Sequence, residues 1–136
     1  MIQVIAGKRG AGKTKRILEA ANQAAQNPTN VVVFVDYDNK HMHELKREVR
    51  LVDASEFKVE NDRMLLGFLA GMITQNFDIN LICIDGFKRI IKVDLQSTEW
   101  FFTQLEALSE THNVKFLITV SEDVENLPAY ITKFIA

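Results

Sequence analysis

A glycine-rich stretch near the start of the chain, GKRGAGKT at residues 7–14, contains residue types that can hold a phosphate. It follows the pattern G-x-x-x-x-G-K-[ST] through Gly7, Gly12, Lys13 and Thr14. In this pattern backbone N–H groups surround an anion, the lysine reaches its outer phosphates, and the hydroxyl binds Mg²⁺. We therefore predict that the stretch binds a nucleoside triphosphate such as ATP, with Lys13 also acting in catalysis. The residues predicted to contact the nucleotide are Gly7, Lys8, Arg9, Gly10, Ala11, Gly12, Lys13, Thr14 and Lys15.

A second chemical signal is an aspartate that follows four apolar residues, Leu-Ile-Cys-Ile at 81–84. Ligands of parallel sheets gather at the carboxyl ends of the strands, so Asp85 is expected beside Thr14. We predict that Thr14 and Asp85 bind Mg²⁺, the carboxylate acting through water. The alternative is that Asp85 only begins a turn with Gly86. Gly86 also stands where many ATPases carry a catalytic glutamate, so any catalytic base must come from elsewhere.

Two further carboxylates, those of Asp36 and Asp38, follow the apolar residues 31–35, and they are the candidates for the missing catalytic base. Asp36 can orient a water or a Mg²⁺ shell at the phosphate end of the sheet. Asp38 has an alternative role as the N-cap of a helix expected to begin near Asn39. On such a helix His41 and His43 are two residues apart and point to different faces, so we predict no metal site there.

Apolar runs of strand length alternate along the chain with segments of helical periodicity. Continuous apolar runs are typical of parallel strands buried on both faces, and the alternation favours a parallel sheet with helical crossovers. We predict a single α/β domain over residues 1–136, with three layers and a mainly parallel sheet of about four to five strands. The predicted strands are residues 2–6, 31–35, 81–84 and 114–120, and the predicted helices are residues 13–26, 61–76 and about 98–112.

Composition limits the partners and the cellular setting that are expected. The 136 residues carry a net charge of -2, which argues against a surface built to coat nucleic acid. The single cysteine, Cys83, cannot form an internal disulfide, and this favours a reducing, cytoplasmic location. No apolar run approaches the length of about 18 residues that a membrane span requires. We therefore expect a soluble protein without a membrane span.

The whole chain resembles P-loop NTPases, which implies a three-layer αβα fold of that kind. Residues 7–14 match G-K-x-G-x-G-K-T, and with Asp36-x-Asp38 they resemble the deviant Walker A ATPases that partition plasmids and place division sites. In that family the additional loop lysine crosses a dimer interface to the partner's phosphates, which implies such a role for Lys8. The chain differs from that family at Arg9, where glycine is usual, and lacks the Pro-Pro expected after the strand-end aspartate. It is also similar to small bacterial P-loop proteins often labelled twitching-motility ATPases of the PilT type.

Three classes of function fit these observations. The first is a slow Mg²⁺-dependent ATPase or nucleotide switch, and the second is a kinase that acts on a small molecule or a nucleoside. The third is a nucleotide-binding module with little catalysis. The helix at 61–76 has more apolar surface than one sheet face can cover, which suggests a homodimer or another protein partner.

Overall fold

A computed structural model describes residues 1–135 of the chain and forms one sheet with helices on both sides. Three short 3₁₀ turns, Met42–Glu44, Leu95–Ser97 and Val124–Asn126, lie in the connections. The strands and helices, in chain order, are β1 (Ile2–Gly7), α1 (Lys13–Ala25), β2 (Val31–Asp36), β3 (Arg50–Asp53), α2 (Asp62–Gln75), β4 (Ile79–Ile84), α3 (Phe87–Ile91), α4 (Glu99–His112), β5 (Lys115–Ser121) and α5 (Ala129–Thr132).

The five strands are all parallel and lie in the order β1-β5-β4-β2-β3. This confirms the predicted α/β class with a mainly parallel sheet. β4 is the middle strand, and it carries Cys83, which is buried and free. Burial raises the pKa of Cys83 to about 12. The outer side of β1 is bonded to the C-terminal segment, where the Val4 amide donates to the Phe134 carbonyl at 2.8 Å.

Each face of the sheet has its own hydrophobic cluster, which gives the fold its three layers. Against one face, α1 packs Ile17 and Leu18 onto the apolar residues of β2 and its neighbours. Against the other face, α2, α3 and α4 contribute a larger cluster that includes Leu69 and Phe101. None of the helices within residues 1–135 is long and apolar enough to cross a membrane.

The main difference from the predicted elements lies in the segment that follows β2. The helix expected to begin near Asn39 does not form, and the chain makes only the 3₁₀ turn Met42–Glu44 before it enters β3. The short elements β3 and α3 were not predicted. Asp38 is therefore not a helix N-cap: its Oδ1 instead accepts from the Lys40 amide at 3.2 Å in a local turn. The segment that follows β2 therefore approaches the candidate site as a turn and not as a helix.

Removal of one ring from the buried aromatic cluster of Phe87, Phe101 and Phe102 should strongly destabilise the fold. Phe101 is 0% exposed, and its ring centroid lies 5.2 Å from that of Phe87. Phe101→Ala should lower the free energy of unfolding by about 3–5 kcal/mol, since buried surface is lost and a cavity remains. Urea denaturation followed by circular dichroism measures this, with Phe77→Ala as the matched control. Phe77 is 72% exposed, so an equal loss in the control would contradict this account of the core.

Candidate functional site

The glycine loop, residues 7–14, connects β1 to α1 at the carboxyl edge of the sheet. Gly10 and Gly12 have φ angles of 88° and 81°, which lie in the left-handed region that favours glycine. A Cβ added at either position would meet nothing within 4 Å. Glycine is therefore required for backbone conformation rather than for packing, and the backbone at both positions is open to a ligand.

Lys13 is the first residue of α1, and its side chain is held across the loop. The residue is only 7% exposed, and Nζ donates to the Lys8 carbonyl at 2.8 Å. Burial lowers the pKa of Lys13, and the charge of Asp85 partly opposes this effect. Its ammonium group forms no salt bridge within residues 1–135. Lys13 is thus a partly desolvated donor that an anion entering the loop could engage.

Thr14 and Asp85, which are far apart in sequence, are in direct contact. Thr14, on α1, donates through Oγ1 to Asp85 Oδ2 at 3.1 Å, and Asp85 directly follows β4. A third residue, Thr119 near the end of β5, donates to Asp85 Oδ1 at 2.6 Å and accepts from the Gly86 amide at 2.8 Å. Thr119 thereby fixes the orientation of the carboxylate. Asp85 is 7% exposed, so its carboxylate is largely shielded from bulk solvent.

Positive charge surrounds the loop, although the chain as a whole is acidic. A cleft of about 380 Å³ is lined by five cationic side chains and one carboxylate, that of Asp85. The predicted loop contacts Arg9 and Lys15 lie on this cleft, and so do Lys40 and Arg89, which lie outside the loop. The five cations are Arg9, Lys13, Lys15, Lys40 and Arg89. Clefts lined by one sign of charge concentrate ions of the other sign, so this cleft suits a polyanion.

Lys8 and Ala11, two of the residues predicted to contact the nucleotide, are exposed to solvent. The Lys8 side chain is 79% exposed, and its Nζ lies 3.8 Å from Asp123 Oδ2. An exposed ion pair of this kind contributes at most about 1 kcal/mol, so Lys8 can leave it easily. The amide of Ala11 donates to the Lys8 carbonyl at 3.1 Å, which closes the turn.

Asp36 ends β2 with its carboxyl group buried beside that of Asp85. The residue is 3% exposed, and its Oδ1 accepts from the Tyr37 amide at 2.7 Å. Its Oδ2 is buried without a hydrogen-bond partner among residues 1–135. Burial is the main cause that raises the pKa of Asp36 to about 6, and the nearby carboxylates of Asp85 and Asp38 add to the effect. A carboxyl group with this pKa can exchange a proton near neutral pH.

The raised pKa of Asp36 predicts how stability changes with pH. Folded Asp36 binds a proton more tightly than the unfolded chain, so its stabilising contribution is complete below pH 3.8 and is lost as the pH rises through about 6. Asp36→Asn should remove this contribution to the pH dependence. In metal-free buffer with a chelator, the variant should therefore gain stability over the wild type between about pH 4 and about pH 7.5.

Urea denaturation of both proteins at the two pH values measures the effect. Asp78→Asn, which replaces an exposed carboxylate, serves as the control and should follow the wild type. A variant whose stability relative to the wild type is the same at both pH values would contradict the raised pKa.

Asp38 lies at the rim of the site and pairs with α3. Its Oδ2 lies 3.4 Å from Arg89 Nη2. The Arg89 guanidinium also lies over the Tyr37 ring, with its central carbon 4.6 Å from the ring centroid. Asp38 thus links the segment after β2 to the segment after β4. Its catalytic role, like that of Asp36, stays a prediction.

One further side chain, that of His41, lies at the site although the sequence did not predict it there. His41, expected on a helix, lies in the turn after β2, and one of its ring nitrogens lies within 4.8 Å of oxygens of Asp36 and Asp85. No local signal indicated this, because it depends on how residues 37–45 fold back. Thr119, by contrast, had a detectable signal, since it is the polar residue near the end of the apolar run 116–120.

Comparison with known proteins assigns no family. No protein-family model matches the chain, and no curated protein matches its sequence. Any assignment of function therefore depends on the residues and the geometry described above.

Proposed function

We propose that the chain binds a nucleoside triphosphate with Mg²⁺ at the glycine loop and hydrolyses it slowly, as a P-loop ATPase or nucleotide switch. The observation that carries the proposal is the convergence of Lys13, Thr14 and Asp85 at an open glycine turn. An ammonium donor, a hydroxyl and a carboxylate are the groups that a magnesium–phosphate ligand requires. The five cations of the cleft add the charge that a triphosphate would neutralise.

Nucleotide binding would change the hydrogen-bond partners of Lys13 and Thr14 and would add a magnesium ion next to Asp85. Lys13 would exchange its bond to the Lys8 carbonyl for bonds to phosphate oxygens, which are stronger because both partners are charged. Thr14 would turn its hydroxyl from Asp85 toward Mg²⁺, and Asp85, still oriented by Thr119, would hold the ion through water. These changes need only side-chain movement.

Catalysis is proposed to be slow because the site has no carboxylate directly after Asp85, where Gly86 stands. Asp36 is the best proton acceptor nearby, since its pKa of about 6 is close to the pH at which it would act. The rim pair of Asp38 and Arg89 joins two segments that a bound phosphate could reorder. A change in this pair would give a switch its two states.

Calorimetry and turnover together test the proposal and separate its alternatives. MgATP should bind to the untagged protein, and phosphate should be released slowly without any acceptor. A kinase would instead transfer phosphate only when an acceptor such as a nucleoside is present, and a binding module would do neither. Absence of binding by MgATP and MgGTP would overturn the proposal as a whole.

We further propose that self-association or a partner protein raises the rate, with Lys8 completing the neighbour's site. The exposure of Lys8 supports this, as does Met64 on α2, which is 43% exposed. The rate per molecule should then rise with protein concentration, and Lys8→Ala should abolish the rise while nucleotide binding is kept. Light scattering with and without nucleotide provides the independent measurement. A monomer with a constant rate that is indifferent to Lys8→Ala would contradict the dimer.

A further inference from the structure

The carboxyl ends of β2 and β4 bring two carboxylates of the proposed nucleotide site together with His41, which that site does not use. Asp36, His41 and Asp85 each place one potential ligand atom within 4.8 Å of the others. Asp36 is the last residue of β2, Asp85 directly follows β4, and His41 precedes the turn Met42–Glu44. The three side chains thus come from two neighbouring strands and one connection.

The buried oxygen of Asp36 is an independent sign that something binds here. Asp36 is 3% exposed, and its Oδ2 has no hydrogen-bond partner among residues 1–135. A buried carboxylate oxygen without a partner is strongly unfavourable, and such groups are rare in folded proteins. A cation between Asp36 and Asp85 would supply the missing partner and reduce the repulsion between the two carboxylates.

His41 is held in the manner of a metal-binding histidine. Its Nδ1 is bonded to Glu44 Oε2 at 2.5 Å, and the side chain is 22% exposed. Histidines that bind metals commonly donate one ring N–H to a carboxylate, which orients the ring and makes the other nitrogen more basic. The bond to Glu44 leaves Nε2 as the nitrogen available for a metal.

Asp85 retains capacity for a metal despite its two contacts with threonine. It accepts from Thr119 on Oδ1 and from Thr14 on Oδ2. An ionised carboxylate has about four lone-pair sites, so about two remain. Asp85 can therefore be a ligand on its His41 side while the Thr14 contact remains in place.

We propose that Asp36, His41 and Asp85 form a binding site for a divalent transition-metal cation of the Zn²⁺ type, which is occupied without nucleotide. An imidazole nitrogen with two carboxylate oxygens suits Zn²⁺ better than Mg²⁺, which prefers oxygen ligands and retains its waters. Three protein ligands leave a further coordination position for water. The proposal does not depend on nucleotide binding. A bound cation would, however, compete with a proton for the Asp36 carboxylate, which the proposed hydrolysis uses as a proton acceptor.

Calorimetric titration of untagged, chelator-treated protein with Zn²⁺, without nucleotide, tests the site directly. One Zn²⁺ should bind per chain, and His41→Ala should weaken this binding by at least about 100-fold, since a ligand is lost. His43→Ala is the matched control, because His43 is an exposed histidine two residues away and should leave the affinity unchanged. Glu44→Gln should weaken binding by about 10- to 100-fold through loss of the orienting carboxylate.

A second measurement protects the test against misfolded variants. Co²⁺ in place of Zn²⁺ gives a visible absorption that reports ligand type, and this band should change in His41→Ala while circular dichroism stays that of the wild type. Equal Zn²⁺ affinity in His41→Ala and the wild type, or equal losses in His41→Ala and His43→Ala, would overturn the proposal. So would Mg²⁺ binding the nucleotide-free protein as tightly as Zn²⁺. None of these outcomes depends on whether the chain binds ATP.

Discussion

Replacement of Lys13 by alanine should weaken MgATP binding by roughly 10- to 150-fold, which corresponds to about 1.5–3 kcal/mol for hydrogen bonds made by a charged group. Lys13 is the donor best placed for the outer phosphates, because its ammonium group already crosses the glycine loop to the Lys8 carbonyl at 2.8 Å. The fold should remain intact, since that carbonyl also accepts from the Ala11 amide. Isothermal titration calorimetry measures the loss.

Arg16→Ala is the control for a general loss of positive charge, because Arg16 is exposed on α1 and does not line the cleft. It should bind MgATP nearly as the wild type does. Wild-type affinity in Lys13→Ala, with a circular dichroism spectrum that matches the wild type, would mean that the glycine loop does not hold the phosphates.

Replacement of Asp85 by asparagine should abolish the contribution of Mg²⁺ to nucleotide affinity. Asparagine keeps the shape of the side chain and can still accept from Thr119, but it loses the charge that holds the ion. The Kd for ATP in Asp85→Asn should therefore be the same with Mg²⁺ as with a chelator. In the wild type, by contrast, Mg²⁺ should tighten binding.

Asp36→Asn provides the comparison that tests whether the two carboxylates have different roles. It should keep the Mg²⁺-dependent tightening and lose hydrolysis, measured as phosphate release, because only the proton acceptor is removed. If both variants lose the tightening equally, Asp36 belongs to the Mg²⁺ site and the hydrolysis has no assigned base.

Four of the five strands and the three long helices could be predicted because their signals are local. Apolar runs such as residues 81–84 appear as strands, and periodic segments such as residues 61–76 appear as helices, wherever the chain later places them. β3 escaped prediction because it has four residues and only two of them are apolar. In its sequence, Arg-Leu-Val-Asp, both end residues are charged. Leu51 packs against the hydrophobic cluster on the α1 face of the sheet, and Val52 packs against the cluster on the opposite face.

Some residues of the candidate site could likewise be predicted from local sequence, whereas others depend on contacts between distant parts of the chain. The glycine loop and Asp85 could be recognised because each has a local sequence signal. The signal is the residue spacing in the loop and the apolar run that directly precedes Asp85. The approach of His41 to Asp36 was not, since the turn Met42–Glu44 replaces a helix only when the whole segment packs. The contact of Thr119 with Asp85 depends on strand order, because it is made by β5 lying next to β4.

The burial of Cys83 gives the protein an internal reporter of opening. It is the only cysteine in the chain, it lies in the middle strand, and burial raises its pKa to about 12. The thiolate is the reactive form, so a thiol-directed reagent can modify Cys83 only in molecules whose sheet has opened. The rate of alkylation thus measures the population of open molecules. Any ligand that binds only the folded chain must slow alkylation in proportion to its occupancy, whatever the chemical identity of that ligand.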